Sequence, residues 1–192
     1  MEQTLSLGCL VMAAGSGRRF GGNKLAAELD GKTLIRRALE AVPGARFSAV
    51  TVVSQYEDIE ELAGQFGFAA IHNDRPDLGL SHTIRLGTEA MRTCDGILYM
   101  VADQPKLCQE TVARIVEVFC QHPDRIVGAG HDGRRGNPNL FPARFFEELM
   151  ALSGDHGGSS VIRAHEDALL LVETDAEELF DCDTPEALES LT

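Results

Sequence analysis

The chain has 192 residues, a formal net charge of −13 and 44% hydrophobic residues. Its length predicts one domain, spanning residues 1–192, that buries a core without disulfide or metal cross-links. The acidic charge argues against nucleic acid as a partner, because binding a phosphate polymer requires a basic face. No apolar run approaches the ~18 residues of a membrane span, so we expect no membrane partner. The five cysteines include no C-x-x-C pair, which favours a reducing, cytoplasmic location.

The sequence alternates between apolar strand-like runs and helical patterns. Predicted strands span residues 7–14, 49–54, 69–72, 96–102, 125–130 and 168–173, with a short strand possible at 139–141. Predicted helices span residues 33–41, 56–66, 81–92, 109–121, 143–152, 159–165 and 185–191. This alternation predicts an α/β fold of three layers with a mainly parallel sheet.

The first predicted strand leads directly into a glycine-rich, cationic segment. Residues 15–24 contain four glycines together with Arg18, Arg19 and Lys24. Glycine lets the backbone turn sharply and bring its N–H groups close to a ligand. Such a loop after a first strand is typical of polyphosphate binding. The alternative is a flexible turn with solvated arginines.

Two familiar phosphate-binding motifs are absent from this segment. Gly21 comes one residue too late for the dinucleotide fingerprint G-x-G-x-x-G. The Walker loop requires a lysine directly after its last glycine, and Asn23 separates Gly22 from Lys24. Leu25 also replaces the metal-binding hydroxyl of that motif. A magnesium ion would therefore need carboxylates from elsewhere in the chain.

Candidate carboxylates follow two strand-like segments. Asp103 ends the apolar run 97–102, so it should lie at the same sheet edge as the glycine-rich loop. Mg²⁺ prefers such oxygen ligands. The alternative is that Asp103 caps a turn or the following helix. Asp183 offers a second carboxylate just before a predicted helix. Its alternative role is to place a negative charge at the N-terminus of that helix, where the helix dipole favours it. Asp181, two residues earlier, is the second choice after Asp183 for this carboxylate.

Residues 12–24, which read MAAGSGRRFGGNK, resemble the signature L-A-A-G-x-G-x-R-[MF]-G-x-x-K of nucleotidyltransferases with a Rossmann-like fold. Shorter segments at 79–81, 103–105, 135–138, 154–155 and 181–186 make the chain similar to the molybdenum cofactor cytidylyltransferases. The resemblance implies Mg²⁺-dependent transfer of CMP from CTP to the terminal phosphate of a phosphorylated pterin, the molybdenum cofactor, with release of pyrophosphate. A molybdenum hydroxylase is then a plausible partner. Ala14 favours CTP, since the guanylyl members tend to have Gly there.

The resemblance also implies roles for individual residues. The catalytic set is Arg19, Lys24, Asp103 and Asp183. Asp103 and Asp183 would hold the metal ion. Acceptor binding is expected at Arg135, Asn137 and Asp155. The expected nucleotide-binding residues are Ala13, Ala14, Gly15, Ser16, Gly17, Arg18, Arg19, Lys24, Gly79, Ser81 and Asp103.

Two positions depart from the family pattern. Asn137 stands where the family often has His, and Ser159 where it often has Arg. Alternative functions are therefore guanylyl or other nucleotidyl transfer to a different small phosphate, such as a sugar phosphate or phospho-lactate, and non-catalytic delivery of the cofactor. Ser81 has an alternative role as a helix N-cap.

Overall fold

The computed structural model describes residues 5–15, 17 and 21–191. The strands are β1 Leu7–Ala13, β2 Glu28–Leu29, β3 Lys32–Thr33, β4 Ala49–Ser54, β5 Ala69–His72, β6 Gly96–Val101, β7 Ile126–His131, β8 Arg134–Pro142 and β9 Leu169–Glu173. The α-helices are α1 Leu34–Glu40, α2 Glu57–Gln65, α3 Leu80–Ala90, α4 Gln109–Gln121, α5 Phe146–Met150, α6 Gly158–Ala164 and α7 Pro185–Glu189. Short 3₁₀ helices lie at Lys24–Ala26, Gly44–Arg46, Pro76–Leu78, Ala143–Phe145, Glu166–Ala168 and Ala176–Leu179.

Seven of the strands form one sheet in the order β5-β4-β1-β6-β8-β7-β9. β8 runs antiparallel to β6 and β7, and every other neighbouring pair is parallel. Apolar residues of α1, α2 and α4 pack on one face of the sheet, and those of α3, α5 and α6 pack on the other. β1 shows why both faces are covered, because Cys9 and Val11 join one core and Leu10 joins the other. The predicted three-layer α/β fold is confirmed.

The sequence did not predict the hairpin β2–β3 or the full length of β8. The hairpins β2–β3 and β7–β8 each turn through two residues with positive φ, as two-residue turns require. The φ angles are 51° and 74° at Asp30-Gly31, and 48° and 74° at Asp132-Gly133. β8 begins with the polar residues 134–137, so its first half lacks the apolar alternation that identifies a strand. The predicted helix 143–152 is a 3₁₀ turn followed by the shorter α5.

The parallel strands place their carboxyl ends at one edge of the sheet. Ala13 pairs with Ser54 of β4, and Met12 pairs with Val101 of β6. The glycine-rich loop, the segment after β4 and the segment containing Asp103 therefore leave the sheet side by side. Among the described residues, no helix combines the length and apolar character needed to cross a bilayer.

Candidate functional site

The glycine-rich loop folds back on itself after β1. Gly17 has φ of +55°, and a Cβ on this residue would lie 1.9 Å from the carbonyl oxygen of Gly22. Only glycine fits so close an approach in this conformation. Asn23 Oδ1 then accepts a hydrogen bond from Leu25 N at 3.1 Å, and Leu25 is buried. These contacts fix the backbone of Lys24 at the start of a 3₁₀ turn.

Three side chains at the carboxyl end of β4, from its last residue and the two residues after it, hold the beginning of the loop. They donate hydrogen bonds to three successive backbone carbonyls. The bonds are Ser54 Oγ to Ala13 O at 3.1 Å, Gln55 Nε2 to Ala14 O at 2.8 Å and Tyr56 OH to Gly15 O at 3.4 Å. We call these three residues the carbonyl clamp. With these carbonyls bound from the β4 side, residues 13–15 at the start of the loop have a fixed backbone orientation.

Lys24 connects the two predicted metal-binding carboxylates. Its ammonium donates to Asp103 Oδ2 at 2.5 Å and to Asp183 Oδ1 at 3.1 Å. The side chains of Lys24 and Asp103 are each 16% exposed, and that of Asp183 is 55% exposed. A backbone hydrogen bond of 2.9 Å from Cys182 N to Asp103 O joins the two loops that carry the carboxylates. The fold thus brings together three residues that are far apart in sequence.

The crowding of charge at this point changes two pKa values. Burial alone lowers the pKa of Lys24, but the ion pairs with Asp103 and Asp183 outweigh it and raise that pKa overall. Asp181 carries a third carboxyl nearby. Desolvation there, together with the negative charges of Asp103 and Asp183, raises the pKa of Asp181 to about 6. The site therefore holds more negative than positive charge among these four residues.

The carboxylates fit a magnesium ion. Mg²⁺ commonly binds one or two carboxylates together with phosphate oxygens. Asp103 Oδ1 is buried and has no hydrogen-bond partner among residues 5–15, 17 and 21–191, so one oxygen of this carboxylate retains coordinating capacity. Lys24 shows that a cation is already favoured between the two groups. Asp103 and Asp183 are thus suitable ligands for a hard divalent ion.

Two adjoining clefts open at this edge of the sheet. The first has a volume of about 410 Å³ and is lined by residues of the glycine-rich loop, by Lys24 and Asp183, and by residues of the segment 76–80. The second has a volume of about 260 Å³ and lies between β1, β6, β8 and the N-terminal part of α6. Leu80 and Asp155 line both clefts, so molecules bound in the two would meet there.

The segment 79–81 is fixed by contact with residues 154–155. Gly79 has φ of +83°, and a Cβ on it would lie 2.5 Å from the backbone of Gly154 and 2.7 Å from Asp155 Oδ1. Ser81 N also donates to Gly154 O at 3.0 Å. Ser81 is not the N-cap of α3, because that position belongs to Gly79. The Ser81 hydroxyl is buried and points to the Leu78 carbonyl at 3.5 Å.

The predicted site residues are distributed as follows. Ala14, Gly15, Gly17, Lys24 and Gly79 line the first cleft, Asn137 lines the second, and Asp155 lines both. Ala13 and Ser81 are buried and are not among the described lining residues. Arg135 lies in β8 opposite Gly130 and is not among the described residues that line the second cleft. Ser16, Arg18 and Arg19 lie outside the described residues.

The sequence interpretation missed two groups of residues. The carbonyl clamp was missed, although its position at the end of β4, at the same sheet edge as the glycine-rich loop, was an available signal. Arg163 was also missed; it lines the second cleft beside Ser159 and Ser160. Its signal was that it is the single cation in the sequence from Phe145 onwards.

Comparison with known proteins identifies the family. The model of the MobA-like NTP transferase domain matches residues 9–169. Purine catabolism protein PucB of Bacillus subtilis (strain 168) is 28% identical over 188 residues, which cover 91% of this chain and 90% of that protein. A probable molybdenum cofactor guanylyltransferase of Pyrococcus horikoshii is 28% identical over 112 residues, 57% of this chain and 54% of that protein.

A solved structure supports the same fold. A nucleotidyl transferase from Methanothermobacter thermautotroptrophicus superimposes with a TM-score of 0.80 at 23% identity, covering 97% of this chain and 95% of that chain. At 23% identity this structural similarity supports the fold alone. The family assignment rests on the domain model, which matches most of the chain. The chain therefore belongs to the family of MobA-like NTP transferases and is a nucleotidyltransferase of that family.

Proposed function

We propose that this protein is a Mg²⁺-dependent cytidylyltransferase that acts as one domain in the cytoplasm. It transfers CMP from CTP to the terminal phosphate of molybdopterin and releases pyrophosphate. The observation that carries this proposal is the convergence of Lys24, Asp103 and Asp183 beside a glycine-rich loop in a chain of the NTP transferase family. The five free cysteines are consistent with a reducing compartment.

The reaction needs no proton to be removed. An oxygen of the acceptor phosphate, already anionic at neutral pH, attacks the α-phosphorus of CTP and forms the new phosphoanhydride. The bond between the α-phosphorus and the bridging oxygen breaks, and pyrophosphate leaves with its electron pair. The difficulty is electrostatic, because two anions must approach each other. Catalysis therefore depends on positioning and charge neutralisation.

Residues in the first cleft and residues beside it supply these two effects. Lys24 holds the triphosphate and stabilises the departing pyrophosphate, assisted by Arg19, which lies outside the described residues. Asp103 and Asp183 would hold Mg²⁺, which when bound would neutralise phosphate charge. The carbonyl clamp binds the carbonyls of residues 13–15 and so orients the start of the loop beside the triphosphate.

The second cleft suits the acceptor. Tyr99 and Phe141 contribute to its apolar wall, and Asn137 offers an amide to the polar edge of a flat heterocycle such as a pterin. Arg163 lines the same cleft and supplies a cation for the phosphate of the acceptor. Asp155 lies at the junction with the first cleft, where the two substrates would meet.

Transfer of GMP from GTP is the second candidate. Ala14 lines the first cleft, and Ala at this position is the family feature that favours CTP. One relative, however, is named a probable molybdenum cofactor guanylyltransferase. The acceptor also has alternatives, since a sugar phosphate or phospho-lactate presents the same terminal phosphate.

The test is pyrophosphate release by the purified protein with molybdopterin, Mg²⁺ and either CTP or GTP. We expect release with CTP at a kcat/KM at least about tenfold above that with GTP, which corresponds to ~1.4 kcal/mol of discrimination. Release with neither nucleotide would overturn the proposal. Release only with another phosphate acceptor would retain nucleotidyl transfer and replace molybdopterin.

Two variants connect the activity to the site. Asp103→Asn should lower kcat by about 10²–10³, the usual cost of losing one group that stabilises charge in the transition state. Asp167→Asn is the matched control, because Asp167 is exposed in the 3₁₀ turn before β9. A non-catalytic delivery protein would instead continue to supply cofactor to a molybdenum hydroxylase after Asp103→Asn, so that result would favour the delivery function.

A further inference from the structure

We infer that Lys24 occupies the position of the divalent ion in the nucleotide-free protein and must leave before the ion can bind. Nucleotide binding and metal binding are then coupled through this one side chain. The inference rests on the proposed function, since it takes Asp103 and Asp183 to be the metal ligands. It adds that Lys24 is a competitor of the metal as well as a phosphate ligand.

The competition follows from distances. The Lys24 ammonium lies 2.5 Å from Asp103 Oδ2 and 3.1 Å from Asp183 Oδ1. Mg²⁺ binds oxygen ligands at about 2.0–2.1 Å, so an ion held by the carboxylates of Asp103 and Asp183 would lie close to the ammonium that contacts both of them. The ammonium and a metal ion so close together would repel each other strongly, because little water screens the charges here. The side chains of Lys24 and Asp103 are each only 16% exposed. We therefore expect the Lys24 ammonium and the metal ion to compete for this pair of carboxylates.

The first cleft offers Lys24 another place to bind. Lys24 lines this cleft together with Gly15 and Gly17 of the glycine-rich loop. A lysine ammonium on a flexible four-carbon chain can turn from one set of oxygens to another. A triphosphate in the cleft supplies those oxygens, and the carboxylates are then left for the metal. By thermodynamic linkage the metal must in turn favour the nucleotide by the same factor.

Removal of the Lys24 ammonium should change the metal affinity in a direction that depends on the role of Lys24. If Lys24 only bound phosphate, its removal would weaken nucleotide binding and leave the affinity for metal alone unchanged. If it only held the carboxylates in place, its removal would weaken metal binding. Competition predicts that removal of the ammonium strengthens metal binding in the absence of nucleotide.

The experiment measures Mn²⁺ binding to the nucleotide-free protein at pH 8 by the EPR signal of free Mn²⁺. Lys24→Met keeps the length of the side chain and removes its charge, and we expect it to lower the Mn²⁺ Kd by about tenfold or more, within the usual range of coupling between sites. Lys106→Met is the control for loss of one positive charge in the loop that carries Asp103, and should change the Kd less than about threefold. An equal or higher Kd in Lys24→Met overturns the inference.

Further variants keep the result interpretable. Adding Asp103→Asn to Lys24→Met should abolish the tighter binding, which assigns it to this site; tight binding that survives overturns the inference. If Lys24→Met does not fold, as judged by thermal unfolding, Lys24→Gln replaces it with the same expected result. Wild-type protein that binds no Mn²⁺ even with CTP would contradict the proposed function itself, whereas normal Mn²⁺–CTP binding with no effect of Lys24 would contradict only the competition.

Discussion

Asp181 is the residue whose titration the site affects most clearly. Its pKa is raised to about 6 by desolvation and by the charges of Asp103 and Asp183. In an unfolded chain the pKa is about 3.9. Between these two values the folded protein binds more protons than the unfolded chain does, so the free energy of unfolding falls as the pH rises through this range. Above the folded pKa the ionised Asp181 destabilises the fold.

Asp181→Asn should therefore stabilise the protein at pH 8 and have no effect near pH 4. We expect a gain of about 1 kcal/mol at most, since Asp181 is exposed enough for water to screen the repulsion. Urea unfolding of wild type and variant without metal at both pH values measures this difference. A gain of the same size at pH 4 would show that the repulsion is not its cause. Asp167→Asn, which changes an exposed carboxyl elsewhere, should be neutral at both pH values.

Gly17 is the residue at which a single methyl group should disturb the glycine-rich loop. A Cβ there would lie 1.9 Å from Gly22 O, in a backbone conformation with φ of +55°. Gly17→Ala should raise the nucleotide Kd by about tenfold or more, because the loop must refold to relieve the contact. Gly22→Ala is the matched control, since a Cβ on Gly22 meets nothing within 4 Å. Calorimetric titration with CTP would compare the two; equal Kd values would contradict the expected close approach.

At the level of elements, the carbonyl clamp makes the end of β4 part of the nucleotide site. The strongest clamp contact by distance is Gln55 Nε2 to Ala14 O at 2.8 Å. Gln55→Met keeps the side-chain size and removes the donor, and should raise the nucleotide Kd by about tenfold, the equivalent of one hydrogen bond of ~1 kcal/mol or slightly more. Thermal stability should change little, because the loop lies at the sheet edge.

Gln65→Met is the control for this prediction, since Gln65 is an exposed residue at the end of α2. Both variants exchange glutamine for methionine, and only one removes a contact to the loop. Nucleotide titrations of both proteins at one salt concentration make the comparison. If Gln55→Met binds nucleotide as well as Gln65→Met does, the clamp does not position the loop.

The same elements show how far the sequence could predict this molecule. β1, β4 and β6 were recognisable because each is a mostly apolar run buried on both faces. β8 was recognised only in part, because its polar first half is a strand by virtue of pairing with β7. The sheet-edge rule placed Asp103 near the glycine-rich loop, whereas the role of Asp183 came from family resemblance. The position of the clamp residues at the sheet edge was predictable, whereas their contact with the glycine-rich loop depends on β4 lying beside β1, which local sequence does not determine.

At the scale of the whole molecule, the candidate site depends on how the C-terminal segment 176–191 is attached. Glu178 fixes this segment to α4 through hydrogen bonds from Cys108 N at 3.0 Å and Thr111 Oγ1 at 2.9 Å, and also accepts from Thr174 Oγ1 at 2.9 Å. Burial alone raises the pKa of Glu178, but these hydrogen bonds outweigh it and lower that pKa overall. The attachment therefore stabilises the fold above the unfolded pKa of about 4.3 and weakens as the pH falls through the lower, folded value.

Glu178→Gln should loosen the segment that carries Asp183 without touching the site. We expect a loss of about 1 kcal/mol in unfolding free energy at pH 7, discounted for partial exposure, which shrinks towards pH 3. The Mn²⁺ Kd measured with CTP should rise several-fold, because Asp183 is held less firmly. Glu177→Gln changes the exposed neighbour and should do neither. Urea unfolding at both pH values and Mn²⁺ titration test this together. A stability loss with unchanged Mn²⁺ affinity would mean that Cys182 and its bond to Asp103 are sufficient to position Asp183.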